Sequence, residues 1–478
     1  MEQKMGLEIH CQLTGAKSKL FCRCRCDYRG MAPNANTCPT CSGLPGTLPL
    51  LNKKAVEFAG MISLALGCRV PDEIAFYRKN YFYPDLPKNF QLTQYNAYGI
   101  TSIGVEGKLE YGDGKSARIR RVQLEEDPGR LVYEGGSMEA SIYALIDYNR
   151  AGVPLVEIVT EPDFVDPKDV RMFLDKITSI IEHLGVCNTK LEGSVRCDAN
   201  VSVGGGNRVE IKNVSSFADV EKAVRYEITR QKTMTSRDIE VRSETRHWDD
   251  ARKVTKESRT KEEEQDYRYF PEPDIPAVVL GRDFVSSARQ SMPELPDARK
   301  ERFVKHGLSA HVAQVLIDNK ELADFFESAI KLHQSPKEIA NWIVTDLMSF
   351  VDERQKEQEG SLFAGLKVGP EHIADLARLV DQNAINRATA KQILGQIVRT
   401  GEMPSQVAKK TQAGKIDDAG ALAQAIESVF KAEQVAVQDA RRNPNATNFL
   451  LGKVMQATKG RADPKAALEM IQKKLKED

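Results

Sequence analysis

No stretch of the 478-residue chain runs to about 18 apolar residues, so none of it reads as a membrane-crossing helix. The opening MEQKMGLEIHCQL turns polar before the apolar core of a secretion signal could form. Charge of one sign is also missing: Lys plus Arg and Asp plus Glu both total 68. That balance does not exclude nucleic acid, because local patches matter more than the sum. The pattern G-x-x-x-x-G-K-[ST] is absent, so a nucleotide would not be held by a P-loop. Gly204-Gly205-Gly206 is too short for a dinucleotide fingerprint. There is no G-x-S-x-G, and no cysteine stands out as a catalytic nucleophile. No segment repeats at a period of 20–50 residues, which excludes a solenoid.

The composition that is present, 41% hydrophobic and 28% charged, is that of an ordinary globular protein. Its length calls for two to four domains. Nine cysteines are few and unevenly spread, with five between Cys22 and Cys41. That clustering suits metal binding in a reducing cytoplasm better than a disulfide framework.

The first 290 or so residues mix strand-like runs, turns and a few helices. Residues 105–126 read as a hairpin about Gly-Asp-Gly, and 195–214 as another about the triglycine. Between them, Asp166-Pro167 opens a helix to about residue 184. Its inward face is Val170, Phe173, Leu174, Ile177, Ile181 and Leu184, and Gly185 ends it. Without regular βαβ alternation, this is α+β patterning rather than a doubly wound sheet. From about Pro293, strand signals give way to capped amphipathic helices, such as those opened by Ser335-Pro336 and Gly369-Pro370. The polar stretch 414–420 reads as a linker. The expected blocks are an α+β body (1–292), a helical domain (293–412) and a small helical tail (413–478).

Four features carry candidate chemistry. GLEIH puts Glu8 and His10 on one face of a strand, since side chains two apart point the same way. LEEDPGR contributes Glu125, Glu126 and Asp127, and VEIKN contributes Glu210 and Lys212. Carboxylates from three strands with one imidazole suit Mg²⁺, though the same pattern suits solvated faces of half-exposed strands. RKNYFYPDLPKNFQLTQY (78–95) offers Arg78, Lys79 and Lys88 to phosphate, with Tyr81 and Tyr83 to stack. It also reads as an ordered surface loop packed by its own aromatics. Cys22, Cys24, Cys38 and Cys41 fit a closed four-sulfur zinc site of structural type, with Cys26 a substitute or a spare. The last 38 residues hold nine Lys or Arg against four Asp or Glu. Lys453, Lys459, Arg461 and Lys465 are placed near helix ends, where RNA phosphate or plain solvent could meet them.

GLEIH (6–10), NTCPTCSGLPGTLPLLNKKAV (36–56), RKNYFYPDLPK (78–88), EED (125–127), NRAGVPLVEIVTEPD (149–163), EGSVRCDANVSV (192–203), EIKN (210–213) and DYRYFPEPDIP (266–276) occur in that order. In these the chain resembles the B subunits of GatCAB-type aspartyl/glutamyl-tRNA amidotransferases. The likeness continues into GKVMQATKGRADP. The related archaeal E type carries a large insertion for which this chain has no room. The resemblance implies a cytoplasmic ligase component with a cradle domain, a helical domain and a tRNA-binding tail. It implies ATP-dependent phosphorylation of the side-chain carboxylate of Glu-tRNA(Gln) or Asp-tRNA(Asn). Amidation follows, with ammonia from an amidase A subunit; a small C subunit completes a heterotrimer. Under that reading Glu8, His10, Glu125 and Glu210 surround Mg²⁺, with Glu126 and Asp198 as secondary candidates. Lys79 faces phosphate, Tyr81 and Lys88 line the nucleotide site, and Arg150 or Lys212 orients substrate. Two departures stand out: Pro128-Gly129-Arg130 replaces the more usual Ala-Gly-Lys, and Gln123 a usual histidine. The competing reading is a non-catalytic, zinc-containing RNA-binding protein.

Overall fold

The computed structural model describes all residues except 1, 113, 136–140, 215, 261–263, 352–360, 412–418, 443–446, 459–461, 463 and 478. It divides into two compact units, Met1–Ala298 and Arg299–Asp478.

The first unit is organised by one eight-stranded sheet. Its strands are β1 (Gln3–Gln12), β2 (Gly104–Gly112), β3 (Lys115–Glu126), β4 (Pro154–Thr160), β5 (Val195–Val203), β6 (Val209–Lys212), β7 (Glu244–Asp249) and β8 (Val254–Thr260). The spatial order is β8-β7-β6-β5-β1-β4-β3-β2. Both expected hairpins form: β2 pairs with β3 and β5 with β6, each antiparallel. Among the described residues, only the β6–β7 pairing in this sheet is parallel. It needs a crossover, which the helix Phe217–Thr235 supplies.

The strand period of two sorts the sheet into two chemically opposite faces. Leu7, Ile9 and Cys11 of β1 join Leu124, Ile158, Ala199 and Ile211 in a continuous buried core. The helices Lys53–Ala65, Pro167–Leu184 and Phe217–Thr235 contribute to the same core. Pro167–Leu184 forms for the reasons its sequence states. The Asp166 side chain accepts from the backbone of Lys168, Pro167 occupies the first turn, and Gly185 ends it in the left-handed region at φ 68°. The opposite face of the sheet is polar. It is flanked by a three-stranded sheet of Phe270–Pro271, Tyr77–Asn80 and Phe90–Thr93.

Helices are the only regular elements among the described residues of the second unit, which contains two separate apolar clusters, one spanning Phe303 to Val407 and one Leu422 to Ile471. Ser335-Pro336 opens a helix as expected, and Ile339, Ile343 and Leu347 are fully buried. That helix widens into a π-type turn at Trp342–Asp346. The expected linker at 414–420 lies, up to residue 418, outside the described residues.

The alternation on β1 can be tested by neighbouring substitutions. Ile9→Ala, which empties a fully buried site, should cost about 2–5 kcal/mol in urea unfolding of the full chain. Glu8→Gln, one residue away on the polar face, should change stability by less than about 1 kcal/mol. Equal losses would mean that the two residues share an environment.

Candidate active site

His10 is the hub of the polar face. Its Nε2 lies 3.6 Å from Glu8 Oε1, 3.8 Å from Glu125 Oε1 and 3.8 Å from Glu157 Oε2. The register explains the gathering. His10 stands opposite Glu157 on β4 and Arg196 on β5, while Glu8 stands opposite Asp198. On β3, Gln123 faces Glu157, and Glu125 follows two residues on, on the same side. Ligand atoms of Glu8, His10 and Asp198 fall within 4.8 Å of one another, as do those of His10, Glu125 and Glu157.

Four cations surround this acidic patch. Arg121 donates to Glu157 at 3.3 Å. Lys212 approaches Asp198 at 3.3 Å and Glu210 at 3.6 Å. Arg196 donates to Asp127 at 3.0 Å. The Lys79 ammonium lies 4.7 Å from the Tyr267 ring centre and 5.7 Å from that of Tyr81, where it feels the charges of Glu125 and Glu157. A cation held against aromatic faces keeps its N–H donors for other partners.

Burial with incomplete neutralisation shifts the titrations apart. Burial, reinforced by the charge of Glu157, pushes Glu125 up to about 8, against the pull of Lys79 and a 3.0 Å hydrogen bond from Thr93. Burial and Glu8 raise Glu157 to about 6, and burial raises Asp198 to about 6 against Lys212. Burial drives His10 down to about 4 despite Glu8, so the imidazole is neutral and keeps a lone pair. For Glu8 burial acts upward, yet His10, Lys212, Lys79 and Arg121 together hold it below the usual value.

A divalent cation fits these residues. Ligand atoms around an octahedral ion with ~2.1 Å bonds lie roughly 3.0 or 4.2 Å apart, which brackets the separations about His10. The donors are hard carboxylate oxygens plus one neutral imidazole, and the patch is short of positive charge.

Not every expected residue joins the group. Glu210 shares the face but sits two strands from His10, held by Thr245 at 3.1 Å and by Lys212. Glu126 points to the other side of β3, where it binds Lys88 and the backbone N–H of Leu92. Lys88 therefore lines a different space, a cavity of about 280 Å³ bounded also by Cys41, Arg78 and Glu272. Arg150 is occupied by the carbonyls of Pro128 and Gly129 at 3.0 and 2.7 Å, so it braces that loop. Tyr83 is half exposed, and its carbonyl accepts from the Leu86 N–H. Glu157 is a further site residue, inside NRAGVPLVEIVTEPD (149–163) but not among the expected ligands. Its signal is faint: a single carboxylate inside the apolar run LVEIV.

The cysteine quartet converges. Cys41 Sγ lies 3.8 Å from Cys38 Sγ and 4.0 Å from Cys24 Sγ, and all four sulfurs fall within 4.8 Å of one another. Four sulfurs on a tetrahedral zinc with ~2.3 Å bonds would stand about 3.8 Å apart, so the residues fit that ion. Cys26 lies outside the quartet, its thiol on the Leu13 carbonyl at 3.4 Å. In the tail, Lys459 and Arg461 lie outside the described residues. Lys453 lies inside the helix Thr447–Ala457 rather than near an end, paired to Glu433 at 2.7 Å. Lys465 is exposed in the first turn of Pro464–Glu477.

A sign follows from Glu125. Its carboxyl binds a proton more tightly folded (about 8) than at its ordinary value of 4.5, so stability of the chelator-treated chain falls as pH rises between them. Glu125→Gln should match the unsubstituted chain near pH 5 in urea unfolding with EDTA. At pH 8 it should be more stable by on the order of 1–3 kcal/mol. The same difference at both pH values would refute the burial of an uncompensated charge.

Residues 3–286 match the family model described as the GatB/GatE catalytic domain, and residues 324–475 match the GatB domain. The chain is 46% identical over 471 residues to the B subunit of the aspartyl/glutamyl-tRNA(Asn/Gln) amidotransferase of Sulfurisphaera tokodaii, covering 98% of both proteins. It is 46% identical to the Sulfolobus acidocaldarius protein of the same name, covering 99% of both, and 44% identical to that of Thermotoga maritima, covering 98% of both. With both domains matched in order and nearly the whole length covered, the chain belongs to the family of aspartyl/glutamyl-tRNA(Asn/Gln) amidotransferase B subunits.

Proposed function

We propose that this chain uses ATP to activate the side-chain carboxylate of glutamate or aspartate esterified to tRNA, and then presents it to ammonia. The observation that carries the proposal is the gathering of Glu8, Glu125 and Glu157 about a neutral His10 on the polar face of the sheet. A binding surface for RNA would repel phosphate with such a patch, which disfavours the RNA-binding alternative.

The chemical problem is the leaving group. A carboxylate cannot expel oxide, so the γ-phosphoryl group must first pass to it. A bond forms from the carboxylate oxygen to phosphorus, and the bond from phosphorus to ADP breaks. The ammonia lone pair then attacks the acyl carbon. The carbon–oxygen bond to phosphate breaks, and the surplus proton leaves with the phosphate. The protein's part is chiefly to position the reactants and neutralise charge.

Glu8, His10, Glu125 and Glu157 would hold Mg²⁺, with Asp198 beside them and Glu210 one step further out. Bound there, the ion would neutralise phosphate charge. Lys79, backed by Tyr81 and Tyr267, would offer N–H donors to the γ-phosphate. Lys212 restrains Asp198 and Glu210, and Arg121 restrains Glu157. Cys22, Cys24, Cys38 and Cys41 would hold a structural Zn²⁺, with no position open for substrate. The tail, through Lys465 and its neighbours Lys459 and Arg461, would touch the tRNA backbone. The chain would work in the cytoplasm, with an amidase partner releasing ammonia and a small third protein completing the complex. The blocks 1–292, 293–412 and 413–478 would act as cradle, helical and tail domains.

In the assembled enzyme, ATP hydrolysis should require both Mg²⁺ and misacylated tRNA; turnover indifferent to either would defeat the proposal. Glu125→Gln should lower amide formation by about 10³-fold or more while tRNA affinity stays within about twofold. A large loss of tRNA binding would instead give Glu125 to RNA contact or structure. Cys38→Ser should lose the zinc that metal analysis finds in the unsubstituted chain, and equal zinc in both would remove Cys38 from the ligand set.

A further inference from the structure

Lys19 is only 1% exposed, one of the largest fully buried side chains of the molecule. Its Nζ donates to the Asn36 carbonyl at 2.8 Å and the Tyr148 carbonyl at 3.5 Å, and it approaches Cys41 Sγ at 3.7 Å. Among the described residues, no carboxylate lies within 4.0 Å of it. A buried ammonium whose oxygen partners are all neutral carbonyls is strongly unfavourable, because carbonyl dipoles replace lost hydration incompletely. Two groups nearby can carry negative charge: Glu126, which lines the same cavity but is paired with Lys88, and the cysteine cluster, which Nζ touches directly. Lys19 also grips that cluster a second way, since its backbone N–H donates to the Cys24 carbonyl at 2.9 Å.

We infer that Lys19 is the built-in counter-cation of an anionic four-thiolate centre made by Cys22, Cys24, Cys38 and Cys41, and that it sets how tightly this centre holds its metal. The inference rests on the zinc reading of the quartet. Four thiolates around one divalent ion carry a net charge of minus two, which is costly in a buried site. One ammonium halves it, and its hydrogen bond falls on a ligand sulfur. The partners on the carbonyl side tie the centre to the rest of the unit. Asn36 is held by Asn149, and Tyr148 precedes it in the turn that leads into β4. Loss of the metal would remove the doubly negative centre and weaken the negative charge facing Lys19, so the two should stabilise each other. Lys19 touches no reacting group and is a positioning residue.

The test compares the full chain with Lys19→Met, which keeps the length and removes the charge, and Lys19→Gln, which keeps a hydrogen-bond donor. Zinc release to a chromogenic chelator should show a site weaker by about 10–100-fold in Lys19→Met. Lys19→Gln should lie between the two. With cobalt in place of zinc, the sulfur-to-metal charge-transfer bands should shift in Lys19→Met, a change that a packing role alone would not produce. Chelation should lower the melting temperature of the unsubstituted chain by more than that of Lys19→Met, which strands no charge. Lys19→Met with unchanged zinc affinity and unchanged cobalt bands overturns the inference and leaves the zinc reading intact. An unsubstituted chain that binds no zinc overturns both. If Lys19→Met does not fold, the unsubstituted chain still decides: Lys19 should resist amine acylation with zinc bound and react once zinc is removed. Acylation independent of zinc overturns the inference.

Discussion

The structure depends on a sheet that keeps oil on one side and charge on the other. Alternation along β1 sends Leu7, Ile9 and Cys11 into the core and Glu8 and His10 out of it. The neighbouring strands obey the same rule, so one registered sheet places acids from β1, β3, β4 and β5 on a single surface. A slip of one residue in any of these strands would exchange core for site. The helices on the apolar face therefore hold the register, and through it the geometry around His10.

That surface is held together under electrical tension. Arg121, Arg196, Lys79 and Lys212 offset part of its negative charge, and burial prevents water from offsetting the rest. The result is a set of carboxyl groups that share one environment yet differ widely in proton affinity. Such a patch is poorly satisfied alone and well satisfied by a compact cation and the phosphates that accompany it.

Much of this is legible in the chain itself. The hairpins and the capped helix Pro167–Leu184 follow from local rules of turn, cap and period. Glu8, His10 and Glu125 can be named because each stands in a dense polar motif. Glu157 cannot, because its strand reads as buried and its single carboxylate has no polar neighbour in sequence. Glu126 and Lys88 mislead for the opposite reason. They lie in the same motifs as Glu125 and Lys79, but alternation turns Glu126 to the far side of β3, and Lys88 goes with it. Adjacency along the chain is weak evidence of adjacency in space wherever a strand intervenes. Lys19 carries no motif at all; only the fold reveals that it is buried beside sulfur.

The position of β1 bears on how the molecule is made. It is the earliest strand of its sheet in chain order, yet it sits in the interior, with Glu8 opposite Asp198 on one side and Val159 on the other. Both partners emerge from the ribosome long after it, a wait of roughly 10–40 s at ordinary rates of synthesis. Throughout that interval an unpaired, half-apolar ribbon is exposed, with both edges open to wrong partners. The segment that will house the chemistry is thus also the one most in need of shelter while the nascent chain grows.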